Sequence, residues 1–338
     1  MKVFFKGFYG FKNLGDDIFV HAINWFCQNN DIDYLIHGYN LPYGIKGKNV
    51  KNKYQKNLLD FVYSLKANEI VYWGGSTFES ISRKTDLKNI INRFGFLKNK
   101  VSLFSISLGP FKNKIEENKV LDFINELKYV GVRDKKSLSY SENTNFTFDV
   151  AILSPLIFKS QKENENKVNN KKIISLNISD AKNYNEYTQI YLNYLIENKI
   201  DIAEVNVLVF NPDDYNKSEF IYKKLKNNHI NCNFYDYTSD SKKLIDLISK
   251  SDFLLGNRLH SGILAYAYDV PFILNEYHSK CTEFLNTIGH EFKIHDLNKP
   301  KLDFDQISKE CKPKIKSTYF RNITLTELNN LERIINYK

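Results

Sequence analysis

Residues 251–280 read SDFLLGNRLHSGILAYAYDVPFILNEYHSK. The apolar run Phe253 to Leu255 is too short for a helix and ends in the turn Gly256-Asn257, which is how a buried strand reads. A helix then begins with Arg258, Leu259 and His260. A second apolar run, Val270 to Leu274, ends in Asn275, Glu276, Tyr277, His278, Ser279 and Lys280. Strand, helix, strand is the repeating unit of a parallel sheet, and ligands of open α/β sheets bind beyond the carboxyl ends of the strands. Both polar tails are therefore expected at one sheet edge.

The alternation continues on either side. Upstream lie IISLNIS, a helix near Tyr184 to Glu197, AEVNVLVF, a helix near Ser218 to Leu225, CNFYDY and a helix near Lys242 to Ile248. Further upstream the polar stretch KSQKENENKVNNKK lacks periodicity and reads as an interdomain linker over 159–172. Before it the pattern occurs again: KVFFKG, DYLIHG, EIVYWGG, VSLFSIS, YVGVRD and FTFDVA read as strands, with helices over Leu14 to Gln28 and Val120 to Leu127 among the intervening segments. The expected architecture is α/β: two Rossmann-like lobes, each with a mostly parallel sheet, over 1–158 and 173–315. The last stretch, 316–338, holds a terminal helix that in two-lobed folds often packs back on the first lobe.

Length and composition agree with two domains. A chain of 338 residues exceeds the size at which one core stops growing. No apolar run reaches the ~20 residues that cross a bilayer, and glycine and charge interrupt the N-terminus before a signal-peptide core forms. Cys27, Cys232, Cys281 and Cys311 are scattered, with no CxxC pair, and read as reduced thiols. A cytoplasmic protein is expected. The net charge of +9 suggests an anionic partner: a phosphorylated substrate, an anionic membrane surface or nucleic acid. Without a clustered basic tract interleaved with aromatics, nucleic acid is set aside. An even spread of lysine through the chain is the plainer account of the excess.

Arg258 can clamp phosphate or carboxylate, and the amides at a helix start attract anions. His260 exchanges protons near neutral pH without a large pKa shift. In the plainer alternative, Arg258 and Lys280 pair with acidic neighbours and His260 packs in the core; cations at two successive strand ends favour a site. Near the N-terminus, Gly7, Gly10, Asn13, Gly15, Asp16 and Asp17 join the first strand to its helix. The spacing is not that of a dinucleotide fingerprint, and aspartates suit a neutral polyol better than a pyrophosphate. Asn13, Asp16 or Asp17 could equally cap the helix. Gly74, Gly75 and Ser76 read as a tight turn after the strand IVYW that either faces a site or simply turns the chain. Asp149 reads as structural.

The stretch GNRLHSGILAYAYDVPFILNEYHSK resembles the signature of the polysaccharide pyruvyltransferase family, with its R-x-H helix start, V-P strand and Y-x-x-K end. Further elements occur in the family's order: FYGFKNLGDDIF, YWGGST, SLGP, GVRDKKS and DVA. The resemblance spans about 7–285. It implies a GT-B-like fold whose two sheets face each other across a cleft, with phosphoenolpyruvate as donor. It also implies donor binding by Arg133, Arg258, Leu259 and Lys280 and catalysis by His260; the first-lobe loops at Asn13, Gly15, Asp16, Asp17, Gly74, Gly75 and Ser76 are read from their own chemistry as the acceptor side. Two departures touch the first lobe: the family's longer glycine run is here Gly74-Gly75-Ser76, and ISL before Gly109-Pro110 lacks a preceding glycine.

The expected function is transfer of the pyruvyl group of phosphoenolpyruvate onto a sugar of a surface polysaccharide or its precursor, forming a pyruvate ketal and releasing phosphate. No cofactor and no metal are expected. The acceptor is a glycan or lipid-linked glycan, and the latter would bring the enzyme to the cytoplasmic face of the inner membrane as a peripheral protein. Two alternatives stand beside this. One is a GT-B glycosyltransferase using a sugar nucleotide, with Glu276 on the ribose and Arg258 and Lys280 on the diphosphate. The other is a non-catalytic protein that binds an anionic ligand.

Overall fold

The computed structural model describes residues 2–83, 86–160, 171–179, 184–298 and 303–336. Most of the stretch read as a linker, 161–170, lies outside the described residues. The chain divides into two compact units: Met1–Phe11, Asp16–Leu153 and Tyr319–Lys338 form the first, while Lys12–Gly15 and Ser154–Thr318 form the second.

In chain order, the first half contributes β1 (Lys2–Lys6), α1 (Leu14–Asn29), β2 (Asp33–Leu35), β3 (His37–Gly38), β4 (Lys48–Asn49), α2 (Lys53–Lys66) and β5 (Glu69–Phe78). It continues through α3 (Leu87–Phe94), β6 (Val101–Leu108), α4 (Lys114–Asn125), β7 (Tyr129–Val132), α5 (Lys135–Leu138) and β8 (Asn145–Phe146). Six strands form one parallel sheet in the order β2-β1-β5-β6-β7-β8. β6 is buried along its whole length, as expected of a central strand covered on both faces. Ile70, Tyr72, Leu103, Val130 and Val132 pack with Val120, Phe123 and Ile124 of α4 in a continuous apolar core. Burying side chains of this size contributes about 1.5–3 kcal/mol each.

Two strands read from sequence are shorter in the fold. DYLIHG divides into β2 and β3, and His37 turns inward to Asp60. FTFDVA keeps only its beginning: Phe148 has φ 56°, which leaves the extended region, and Val150–Leu153 forms a turn of 3₁₀ helix. Gly74 and Gly75 lie inside β5 instead of in a turn after it. Their φ values of 71° and 80° shift the register against β6 between Gly75 and Phe78, so the glycine pair is a bulge in a strand. A Cβ on Gly74 would stand 2.7 Å from the Phe19 ring, so glycine is also required by packing.

The second half runs α6 (Ser154–Phe158), β9 (Lys172–Asn177), α7 (Tyr184–Glu197), β10 (Ile202–Leu208), α8 (Tyr215–Asn227), β11 (Cys232–Tyr235) and α9 (Ser241–Lys250). Then come β12 (Phe253–Gly256), α10 (Leu259–Ala267), β13 (Phe272–Leu274), α11 (Ser279–Ile288), α12 (Phe304–Glu310) and α13 (Ser317–Asn336). Its five strands form a parallel sheet in the order β11-β10-β9-β12-β13. The order reverses direction at β9, with β10 on one side and β12 on the other, and such a switch point opens a crevice at the strand ends. Ile174, Leu176, Val205, Val207, Leu255 and Ile273 build the core on one face.

Most of α13 is part of the first unit. There Thr324 donates to the Thr147 carbonyl at 2.8 Å, Glu327 accepts from the Tyr129 hydroxyl at 2.7 Å, and Phe320 stacks on Phe148. All four cysteines are buried and free. Among the described residues no helix is long and apolar enough to cross a membrane.

Candidate functional site

The chemistry of the second unit gathers where its strands end. β9 ends at Asn177, whose carboxamide donates to the Leu208 carbonyl at 3.0 Å and accepts from the Arg258 amide at 3.0 Å. One buried side chain thus ties the ends of β9, β10 and β12 together. Arg258 is the N-cap residue of α10, with extended backbone, and His260 sits in the first turn. The N-terminal amides of this helix carry its positive pole.

Arg258 is not a loose surface cation. Its Nε and Nη2 donate to the two carboxylate oxygens of Asp214 at 2.5 and 2.8 Å, a bidentate fork that fixes the guanidinium plane. Asp214 is fully buried in the turn between β10 and α8, whereas the arginine side chain remains partly exposed. Burial works against the guanidinium charge, but hydrogen bonding and attraction from Asp214 outweigh it and raise its pKa. Tyr277, in the tail after β13, is close enough to feel both charges; burial is the main cause of its raised pKa. The sequence reading missed Asp214. Its signal was position: NPDD follows β10 as GNR follows β12 and NEY follows β13.

His260 has an unusual neighbour in Gly15, which is counted with the same unit. A Cβ on Gly15 would stand 1.9 Å from His260 Nδ1, so the imidazole lies directly against the glycine backbone. Leu14 donates its amide to the Phe210 carbonyl at 3.0 Å, which fixes this loop beside the end of β10. Asn13 accepts from the Gly15 amide at 3.0 Å and so caps the start of α1, while Asp16 and Asp17 fall inside the first turn. Lys280 stands in the first turn of α11, where the ring of His278 accepts its amide proton. Leu259, partly buried, opens α10 between Arg258 and His260.

Two further residues, read from sequence only as a turn and a strand tail, were given no role there. Asn257 and Asn275 follow β12 and β13 in register, since Gly256 pairs with Leu274 and the Asn275 amide donates to the Gly256 carbonyl. Both side chains are fully buried, and among the described residues neither carboxamide has a hydrogen-bond partner for its oxygen or its nitrogen. Leaving a buried donor or acceptor unpaired costs about 1–3 kcal/mol, so four such atoms side by side call for a ligand or ordered water.

Of the remaining expected residues, Arg133 and the glycine bulge belong to the first unit and Glu276 to the second. Arg133, in the first unit, is buried, and its nitrogens already serve Ser107 at 2.8 Å, Asp149 at 2.7 Å and Ser76 at 3.1 Å. Asp149, read as structural, is its ion-pair partner. The Gly74-Gly75 bulge delivers Ser76 to this arginine. Glu276 pairs with Lys293 at 2.5 Å.

Comparison with solved structures places the fold in a class. UDP-N-acetylglucosamine 2-epimerase from Methanocaldococcus jannaschii matches with a TM-score of 0.65 at 13% identity, covering 100% of both chains. The Neisseria meningitidis enzyme of the same name, bound to UDP-N-acetylglucosamine, matches with a TM-score of 0.64 at 14% identity, covering 98% of this chain and 99% of that one. Two parallel Rossmann-like sheets with this likeness define a GT-B-type fold. No sequence match was found among curated proteins. The family is nonetheless defined by the sequence itself: residues 13–279 match the polysaccharide pyruvyl transferase family, and the chain belongs to it.

Proposed function

We propose that the protein transfers the pyruvyl group of phosphoenolpyruvate to two hydroxyls of one glycan sugar, forming a cyclic ketal and releasing inorganic phosphate. The observation that carries this reading is the bidentate Arg258–Asp214 pair at the start of the helix that bears His260. A rigid, permanently charged fork beside helix-terminal amides suits a small ligand carrying a phosphate and a carboxylate.

The reaction balances without a redox partner. The methylene carbon takes a proton while the first hydroxyl adds to C2 and gives up its own. The C2–O bond to phosphate then breaks, and the second hydroxyl adds to the resulting cation, its proton leaving with the phosphate. We assign the proton transfers to His260. Arg258 and Lys280, with the amide at Leu259, hold the donor and offset charge on the departing phosphate. In this proposal the Nδ2 groups of Asn257 and Asn275 donate to donor oxygens, which would satisfy their nitrogens, and ordered water would serve their oxygens. Arg133 acts through Ser76, which it positions. Acceptor contacts are assigned to Asn13, Gly15, Asp16 and Asp17 and to the bulge at Gly74, Gly75 and Ser76. No cofactor enters the scheme.

The test is binding and turnover together. Phosphoenolpyruvate should raise the melting temperature more than UDP or a UDP-sugar does, and incubation with a glycan acceptor should release phosphate with a matching pyruvyl mass increment. Stabilisation by UDP alone would move the protein to sugar-nucleotide chemistry.

A further inference from the structure

Helix α2 is apolar on both its sides: Leu59 and Tyr63 face the core, and a second set of apolar residues faces out. Its inward side carries a carboxylate: Asp60 is buried and accepts from Lys6 at 2.7 and 2.8 Å and from Lys56 at 3.3 Å, and it bonds His37 at 2.8 Å. Leu59 and Ser64 are buried beside it. Its outward side carries Tyr54, Leu58, Phe61 and Leu65, which are 87%, 62%, 45% and 49% exposed. Spacings of four, three and four put these within roughly 60° of arc, a straight stripe along the whole helix. Scattered exposed apolar residues need no explanation, but a continuous stripe does.

The surrounding charge selects the partner. Lys51, Lys53 and Lys66 flank the stripe at the helix ends, and Lys46 and Lys48 lie in the connection before it, all five exposed. Between Tyr34 and Asn68 the one acidic residue is Asp60, which is buried. A second copy docked through the same face would set lysines against lysines. An anionic lipid surface matches both features: acyl chains take the stripe, and headgroups take the lysines. Tyr54 and Phe61 are residue types that settle at such an interface.

We propose that α2 docks the protein on an anionic membrane surface, with its Tyr54–Leu65 stripe inserted below the headgroups. The inference rests on the exposed face alone and is independent of the reaction assigned above. It would bring the enzyme to acceptors carried on lipid.

Vesicle flotation tests it. The wild-type chain should float with phosphatidylcholine vesicles containing phosphatidylglycerol, less with phosphatidylcholine alone, and be released by high salt. Leu58→Ser with Phe61→Ser should reduce flotation at least ~10-fold, with an unchanged circular dichroism spectrum and melting temperature because both side chains are exposed. Lys51→Gln and Lys53→Gln should each weaken it about five-fold. Three results would overturn the proposal: no flotation of the wild type, equal flotation of the serine variant, or a wild-type dimer that the serine variant dissolves without any vesicle binding.

Discussion

Removing Arg258 should cost more stability than removing its partner's charge, although arginine is the residue expected to touch substrate. Asp214 is fully buried and Arg258 partly exposed, so the two members are not equivalent. Arg258→Met strands a carboxylate away from water and should destabilise by about 3–5 kcal/mol. Asp214→Asn leaves a guanidinium that can still reach solvent and should cost only ~1–2 kcal/mol. In the double variant nothing charged is stranded, so its cost should fall below the sum of the two by ~1.5–3 kcal/mol. At roughly 2–4 °C per kcal/mol, the Arg258→Met melting temperature should drop by ~6–20 °C, with the double variant recovering part of that loss. Thermal melts by circular dichroism read these values, and the same melts with phosphoenolpyruvate separate the two roles. Both variants lacking Arg258 should lose ligand stabilisation, whereas Asp214→Asn should keep a weakened response. Strictly additive losses, or an Arg258→Met protein as stable as wild type, would refute the claim that a buried carboxylate depends on this arginine.

Other expectations follow from the same geometry. Gly15→Ala places a methyl 1.9 Å from His260 Nδ1 and must move the imidazole, so turnover should fall about 10²-fold with little loss of donor binding, as read by phosphate release and thermal shift. His260→Ala should lower turnover by roughly 10²–10⁴-fold in a folded protein; a wild-type rate would leave it a packing residue. Asn257→Leu and Asn275→Leu should keep or raise the melting temperature of the ligand-free protein while weakening phosphoenolpyruvate binding, and a drop in ligand-free stability would mark the carboxamides as structural. Finally, His37 is held neutral chiefly by burial, and Asp60 is kept ionised by the His37 hydrogen bond and the two lysine charges, which overcome its burial. Both pKa values are lowered on folding, so the unfolded chain binds more protons and stability falls with acid, first below about pH 6.5 and again below about pH 4. Asp60→Asn should flatten the lower limb in melts taken across that range.

The parts of the fold legible in sequence are those governed by local pattern. The strand–helix–strand stretch 251–280 carries its apolar runs and turn residues in plain order, and the observed β12, α10 and β13 follow them closely. Boundaries failed where one residue leaves the extended region, as at Phe148, or where glycines keep a strand going, as at Gly74 and Gly75. Helix α2 escaped notice because apolar residues line both its inward and its outward side, with Asp60 buried among them, so its pattern gave no reliable guide to orientation. Within the site, Arg258 and His260 announce themselves by residue type. Asp214 does not, because its meaning comes from an arginine forty-four positions away in the chain. Asn257 and Asn275 are ordinary in a sequence and become conspicuous only when both prove buried and unpaired.

In the proposed function, the strand ends of the second unit let a fold likened to sugar-nucleotide enzymes serve other chemistry. The strands, apolar where they face the core, set only the spacing of the edge. What stands on that edge is chosen residue by residue: Asn177 at the end of β9, Asp214 after β10, Asn257 and Arg258 after β12, Asn275 after β13. Asp214 and Arg258 cancel in charge but fix a fork with guanidinium hydrogens left over. The two asparagines add neutral polarity in a place where a carboxylate would repel an anion and an apolar side chain would offer it nothing. A compact ligand with several acceptor oxygens can take up the remaining guanidinium hydrogens, the carboxamide N–H groups and the helix-terminal amides at once, whereas a neutral sugar would leave the helix terminus without a counter-charge. In the proposed function, donor choice is carried by a few side chains at the sheet edge, and exchanging them, with the sheets untouched, would turn this fold from one donor to another.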